Sequence, residues 1–299
     1  MSTVRSAVRV EGVGLHTGEP VTVELVPRDN SGIAFTRIDL AARPIIPASI
    51  DFADTTARRT ALVRDGVEVV TIEHLLAACF GHGIDALDVR INAPELPIGD
   101  GSTGIWSDAI RRAGIMPGAA HQHSPVTLEP LTVSDGAASV SVAPAEYWSV
   151  RFEGVFPDGS HQSAEWTAEA DFATEFADAR TFAPLSQIIA LRRDGMIRGG
   201  SLETSLVCVD MAITDELRRD VATFWPEVPL RATDEGLLEP QKLCWSNEFA
   251  RHKLVDLLGD LMLGSMYPGG RFAPVRIVAR GSGHVLNRRF VRAVVDAHQ

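Results

Sequence analysis

The chain has 299 residues, 45% of them apolar and 22% charged. That length and balance suit one large or two modest globular domains and exclude the disordered and fibrous classes. The formal charge of -11 argues against a general grip on the phosphate backbone, so no nucleic-acid partner is expected and an anionic small molecule would need a local cluster of cations. The first part is rich in strand signals. Pro20–Pro27 alternates apolar and polar residues, and Arg59 to Val70 reads as strand, turn and strand about Asp65-Gly66. The period then changes to that of a helix through Ile72, Leu75, Leu76, Cys79 and Phe80, with Thr71 as its N-cap. Ala86–Ile91 returns to strand, and Thr103 to Arg112 reads as a helix stopped near Gly114. Met116 to Pro125 has linker composition.

Beyond that linker the pattern starts again. Strands are expected over Val126–Val133, Ala138–Val142 and Trp148–Phe156, then a helix over Pro184–Asp194 closed by Gly195. Thr204–Asp210 reads as strand and Asp215–Phe224 as helix. Ser246–Met262 is the clearest helix, followed by a strand over Arg271–Ala279 and a last helix over His284–Ala297. The fold class is therefore α+β, in two domains over 1–118 and 125–299, each a β-sheet packed with helices. No repeat is visible in the sequence. Three widely spaced cysteines, Cys79, Cys208 and Cys244, form neither a disulfide framework nor a CxxC pair and fit a reducing compartment. Arginines interrupt the first ten residues where a secretory signal needs an apolar core, and no run reaches the roughly 18 apolar residues of a membrane span. The expectation is a soluble cytoplasmic protein with no transmembrane segment.

The strongest helix carries the least ordinary polar pattern. With His252 at zero and about 100° per residue, Asp256 falls near 40°, Asp260 near 80° and Gly259 near -20°, opposite Leu254, Leu257, Leu258 and Leu261. A His and an Asp four apart can converge on one cation, with Gly259 leaving room above them. The same pattern also suits a solvated face or a simple His252–Asp256 hydrogen bond. In Thr71-Ile-Glu-His-Leu-Leu76, Glu73 and His74 open an otherwise apolar helix. A catalytic zinc takes three protein ligands and keeps one open position. His74, His252 and Asp256 would supply the three, and Glu73 could take a proton from water at the fourth. Alternatively Glu73 merely favours the positive end of its helix. His284, after Gly281-Ser-Gly283, is either a second acid or a turn residue. Gly99-Asp-Gly-Ser-Thr-Gly104 matches a dinucleotide fingerprint, but Ala93–Pro97 separates it from its strand and no acid follows about 20 residues on.

Together these stretches resemble a known family. Gly12-Val-Gly-Leu-His-Thr-Gly18, Thr71–Ala78, Gly83-Ile-Asp85, Asn92–Ile98 with Asp100-Gly-Ser102, Ala179-Arg-Thr-Phe182, Gly199-Gly-Ser201, Glu248–Asp256 with Gly259-Asp-Leu261, and Ser282-Gly-His284 occur in order along nearly the whole chain. They are similar to motifs of the UDP-3-O-acyl-N-acetylglucosamine deacetylases, zinc amidases of lipid A biosynthesis. The resemblance implies two domains of like topology with the active site between them. It implies that His74, His252 and Asp256 hold zinc, with ferrous iron as the alternative, and that Glu73 is the base. By the same likeness His284 stabilises the oxyanion and protonates the leaving amine, oriented by Asp260, and Thr181 sits near the oxyanion. Lys253, one of only two lysines, matches a residue near the nucleotide phosphates. Phe182 and the segment Leu185 to Ser201 match an insert near 184–210 that forms the acyl-chain passage, with Ser201 and Leu202 as substrate contacts. The glycine-rich Gly99–Gly104 becomes a structural turn.

Four departures stand out. Phe156-Pro-Asp-Gly-Ser-His-Gln162 replaces a segment with a His-Pro pair, Ala183 follows Arg-Thr-Phe where Gly is common, and Asp210–Lys242 is long. Arg280-Gly281 precedes Ser-Gly-His where a lysine is usual, so Arg280 is a candidate replacement cation. The implied activity is zinc-dependent release of acetate from the UDP-acyl-amino sugar by a monomer. A related amidase on another N-acetylated nucleotide sugar, or a non-catalytic homologue, is the alternative.

Overall fold

The computed structural model describes residues 1–54, 59–118, 125–226 and 228–298. Its first half runs through β1 (Ser2–Val4), β2 (Val8–Val13), β3 (Pro20–Pro27), β4 (Gly32–Arg37), β5 (Ile45–Pro47), β6 (Ala61–Arg64), β7 (Val67–Val70), α1 (Glu73–His82), β8 (Ala86–Ile91), α2 (Gly104–Ala113) and β9 (Ile115–Pro117). The second half holds β10 (Leu131–Asp135), β11 (Ala138–Pro144), β12 (Ser149–Val155), β13 (His161–Thr167), α3 (Phe172–Glu175), β14 (Phe182–Pro184), α4 (Leu185–Arg193), β15 (Leu206–Cys208), α5 (Asp215–Val221), α6 (Glu248–Met262), β16 (Val275–Arg280) and α7 (His284–Asp296).

Two five-stranded sheets carry the fold, in the orders β2-β3-β8-β4-β5 and β10-β11-β16-β12-β13. In both, the strand that follows the long helix enters the middle. It pairs antiparallel with the second strand and parallel with the third. One helix precedes that central strand and one follows it, so α1 corresponds to α6 and α2 to α7. The two halves thus share one topology without a repeat readable in the sequence. Alternating burial along β3 (Val21, Val23 and Leu25 inward) and β8 is the reason the sheets seat a face on helices.

The corresponding helices α1 and α6 pack on each other at the centre of the molecule. Gly259 makes this contact close: a Cβ there would lie 2.3 Å from the Glu73 carbonyl oxygen. Gly81 does the same at the other end of α1, where a Cβ would meet the Phe172 ring at 2.1 Å. The leucine face of α6 is buried as its periodicity requires. His252, Asp256 and Asp260 are buried too, which rules out a solvated polar face. A smaller core of Leu185, Ile188, Ile189, Val207, Val221 and Leu238 holds α4, β15 and α5 together.

Some local expectations are corrected. Thr71 is not the cap of α1. Ile72 holds that position without a side-chain cap, and Thr71 sits at φ +60 in a sharp turn out of β7, outside the extended geometry a capping threonine needs. Met116 and Pro117 are not linker but belong to β9, which pairs with the N-terminal β1; residues 119–124 of the expected linker lie outside those described. The strand expected over Val126–Val133 begins at Leu131, after Pro130 breaks the ladder, while Val126 bridges Phe272. The strand expected from Arg271 begins at Val275, after Pro274. The expected strand Thr204–Asp210 is ordered over Leu206–Cys208, and the helix Asp215–Phe224 stops at Val221. Gly99 and Gly101, at φ +61 and +84, make Gly99–Gly104 a tight turn against the Thr204 carbonyl rather than a phosphate cradle.

Candidate metal centre and active site

The first turn of α1 and the middle of α6 bring three donors together. His252 Nε2 lies 3.4 Å and His74 Nε2 4.0 Å from Asp256 Oδ1. One donor atom from each residue falls within 4.8 Å of the other two. A tetrahedral zinc with ligands near 2.1 Å separates its donors by about 3.4 Å, so the set fits one small cation after minor closure. The chemistry of the donors agrees. Burial pushes the His74 imidazolium down to about 3, helped by the neighbouring His252, and burial also lowers His252, so both rings are neutral with a lone pair to give. The Ala179 carbonyl accepts from His252 Nδ1 at 3.0 Å, which leaves Nε2 as the donor to a metal. Burial alone would raise Asp256, but the cations around it, Lys253 first, hold it well below the usual carboxylate range.

Glu73 and His284 flank this triad. Burial raises the Glu73 carboxyl to about 7 against the pull of His284. The Thr60 N–H donates to its Oε2 at 3.0 Å, and Oε1 lies 3.8 Å from His284 Nε2. His284 opens α7 after the positive-φ Gly281 and an extended Gly283. Its Nδ1 donates to Asp260 Oδ2 at 2.9 Å, and its Nε2 lies 3.7 Å from Asp256 Oδ2. Burial would lower this histidine, but the Asp260 and Asp256 carboxylates outweigh it and lift it to about 9. The site thus sets a carboxyl raised by burial beside a histidine raised by its carboxylate neighbours.

Thr60, which no motif pointed to, ties these groups together. Its hydroxyl donates to Asp260 Oδ1 at 2.5 Å and lies 3.1 Å from His284 Nδ1, while its amide holds Glu73. A buried threonine at the start of a strand gives no sequence signal for such a role. Asn287 Nδ2 also donates to Asp260 Oδ2, at 2.9 Å, and Arg288 Nη1 donates to the Thr60 hydroxyl at 3.2 Å.

Glu73, His74, His252, Asp256 and His284 line a cavity of about 420 Å³, with Thr60, Asp260, Asn287 and Arg288 behind them. Thr181, Phe182, Ser201 and Lys253 line it, as do Phe152, Phe156, Ile188, Leu191 and Trp225 along an apolar arm. The Phe182 and Phe249 ring centroids lie 4.7 Å apart with the planes tilted by 47°, a contact worth about 0.5–1.5 kcal/mol beyond its buried area. Lys253 Nζ sits 2.6 Å from Asp256 Oδ2. Two residues singled out from the sequence stand apart. Leu202 packs against the small core of the insert, and exposed Arg280 pairs with Glu153 at 2.7 Å outside the cavity wall.

The chain is similar to known proteins along nearly its whole length. The sequence model of the family described as LpxC, UDP-3-O-acyl N-acetylglycosamine deacetylase, matches residues 1–221 and 229–296. The chain is 36% identical over 297 residues to the UDP-3-O-acyl-N-acetylglucosamine deacetylase of Thermosynechococcus vestitus, covering 98% of this chain and 93% of that protein. It is 35% identical over 299 residues to the protein of that name from Myxococcus xanthus (98% and 86% covered). For the one from Geotalea uraniireducens the identity is 34% over 298 residues (98% and 88%).

Proposed function

Because the chain belongs to the LpxC family of UDP-3-O-acyl N-acetylglycosamine deacetylases, we propose that it hydrolyses the N-acetyl group of UDP-3-O-acyl-N-acetylglucosamine in lipid A biosynthesis. Acetate and the free 2-amine are the products. The observation that carries this reading is the meeting of His74, His252 and Asp256 beside the Glu73 carboxyl and the His284 imidazole, whose Nε2 lies 3.8 Å from Glu73 Oε1 and 3.7 Å from Asp256 Oδ2.

We assign zinc to the three donors, which suit it in type and number. When bound, zinc supplies Lewis acidity that polarises a carbonyl and acidifies water. Glu73, with Oε2 anchored by Thr60, is the base that takes the proton of the attacking water. His284, fixed by Asp260, presents Nε2 to the reacting centre, stabilises developing negative charge and gives its proton to the leaving amine. Thr181 lines the same space, and its backbone N–H donates to the Gly101 carbonyl at 2.7 Å. The apolar arm past Phe182 and Ile188 suits the hydrocarbon of an acyl chain, and the Lys253 ammonium suits the nucleotide phosphates. Both halves of one chain furnish the reacting groups, which supports a monomer as the working unit. Three free thiols support a cytoplasmic, reducing setting. Among the described residues no helix is long and apolar enough to cross a membrane.

The test is acetate release from UDP-3-O-acyl-N-acetylglucosamine with metal analysis of the same sample. One zinc per chain with release supports the assignment. Bound metal without release moves the substrate to another N-acetylated sugar, and absence of both marks a non-catalytic homologue.

A further inference from the structure

Glu95 lies between β8 and α2 and has no part in the chemistry above. Its side chain is buried, with 1% of the residue exposed, yet it carries a full set of donors. Oε1 accepts from the His16 N–H at 2.9 Å and from the Thr71 hydroxyl at 3.2 Å. Oε2 accepts from the Thr17 N–H and from the Thr17 hydroxyl, each at 2.8 Å. A carboxylate is acceptor-only with about four lone-pair sites, so these four donors match its capacity.

Each donor belongs to a segment that shapes the cavity. Leu15 and His16, in the turn Gly14–Gly18, line it. That turn also docks on the insert of the second half. Gly199 N donates to the Leu15 carbonyl at 3.0 Å, and a Cβ on Gly199 would lie 2.3 Å from the Gly14 carbonyl oxygen. A Cβ on Gly14 would lie 2.4 Å from Glu95 Oε2, so the turn has closed onto the carboxylate as far as its backbone allows. At the other side Thr71, held at φ +60, stands two residues before Glu73. A β-branched residue keeps that conformation only under constraint.

We propose that Glu95 is a positioning residue for substrate: its four-bonded carboxylate fixes the Leu15–His16 wall and, through it, the docking of the insert. This rests on the reading of the cavity as the substrate site. Backbone bonds close the base of the turn, Gly14 N to the Glu19 carbonyl and Gly18 N to the Gly14 carbonyl, each at 3.0 Å, but the amides of His16 and Thr17 at its tip donate to Glu95, so without that carboxylate substrate would have to order the tip on binding. Such a loss falls on KM, while the reacting groups on α1, α6 and α7 keep their places and kcat holds.

Glu95→Gln in the full metal-loaded chain separates acceptor chemistry from packing, because the isosteric amide turns an NH2 toward backbone donors. The expected result is amide exchange over 14–18 faster by about tenfold or more, KM raised about tenfold, kcat within about threefold and metal content unchanged. Exchange and KM both near wild type would overturn the proposal, as would a fall in kcat alone. Thr17→Val, a near-isosteric change at a half-buried position, removes one donor. It should raise KM about threefold in the wild-type background and add nothing in Glu95→Gln. Additive effects would contradict the shared clamp. Exchange is read without substrate, so a wild-type chain that releases no acetate would sink the substrate reading while exchange still decides the clamp.

Discussion

The two sheets share one strand plan, yet the chain leaves each of them differently between its fourth strand and its long helix. After β5 the first half inserts the β6–β7 hairpin, which delivers Thr60 under Glu73 and Asp260. After β13 the second half inserts α3, β14, α4, β15 and α5, which deliver Thr181, Phe182 and the apolar arm. The paired helices diverge as well. His284 at the start of α7 faces the reacting centre, whereas the start of α2 is structural, with the Thr103 hydroxyl and amide both donating to the Ala177 carbonyl at 2.9 Å. A shared scaffold thus supplies the backbone, and its unequal connections place Thr60 behind Glu73 on one side and an apolar cavity wall on the other.

The largest effect should come from breaking the joint between the halves. Asp256→Ala is expected to lose bound metal and at least about 10³-fold in kcat/KM, read by metal analysis and acetate release. Wild-type occupancy would remove Asp256 from the ligand set. Glu73→Gln should keep its metal and lose about 10²–10⁴-fold in kcat, which separates the base from the ligands lying beside it. Gly259→Ala removes no reacting group but drives a methyl to 2.3 Å from the Glu73 carbonyl oxygen, so the backbone that carries Glu73 must shift. The strain of overpacking should cost about 1–3 kcal/mol in denaturant melts and lower activity with it.

Smaller effects sharpen the roles. The Asp260 charge holds His284 above its ordinary range, so Asp260→Asn must lower that pKa. The protonated form, the proposed donor to the amine, is then lost at lower pH. The alkaline limb of the pH–rate profile should move down, with the acid limb in place; an unmoved alkaline limb would free His284 from Asp260. Arg280→Ala should change KM by less than about twofold, since its partner Glu153 lies outside the cavity and an exposed pair is worth at most about 1 kcal/mol. A large rise in KM would restore Arg280 to the substrate contacts.

Much of this was legible in the residues. The four-residue step from His252 to Asp256, the Gly259 gap and the Glu73-His74 pair are local patterns on helices whose period is plain, and the hairpin at Asp65-Gly66 announced itself. What could not be read depends on contacts distant in sequence. Thr60 meets Asp260 and His284 across 200 residues or more, and Glu95 meets His16 and Thr17 across nearly 80. The edge pairing of β1 with β9 joins the first residues to a stretch that composition alone marks as linker. Thr71 misled because its hydroxyl serves Glu95 rather than its own helix. The polar side of α6 resembled a solvent face because burial of a charged stripe is visible only once α1 is packed on it.

The central claim is that one ion joins the two halves, and anomalous diffraction from crystals of the zinc-loaded chain tests it most directly. The account predicts a single strong peak at the zinc edge within bonding distance of His74 Nε2, His252 Nε2 and an Asp256 oxygen. A fully loaded, active protein whose zinc lies elsewhere, with those three side chains bonded only to one another, would contradict it.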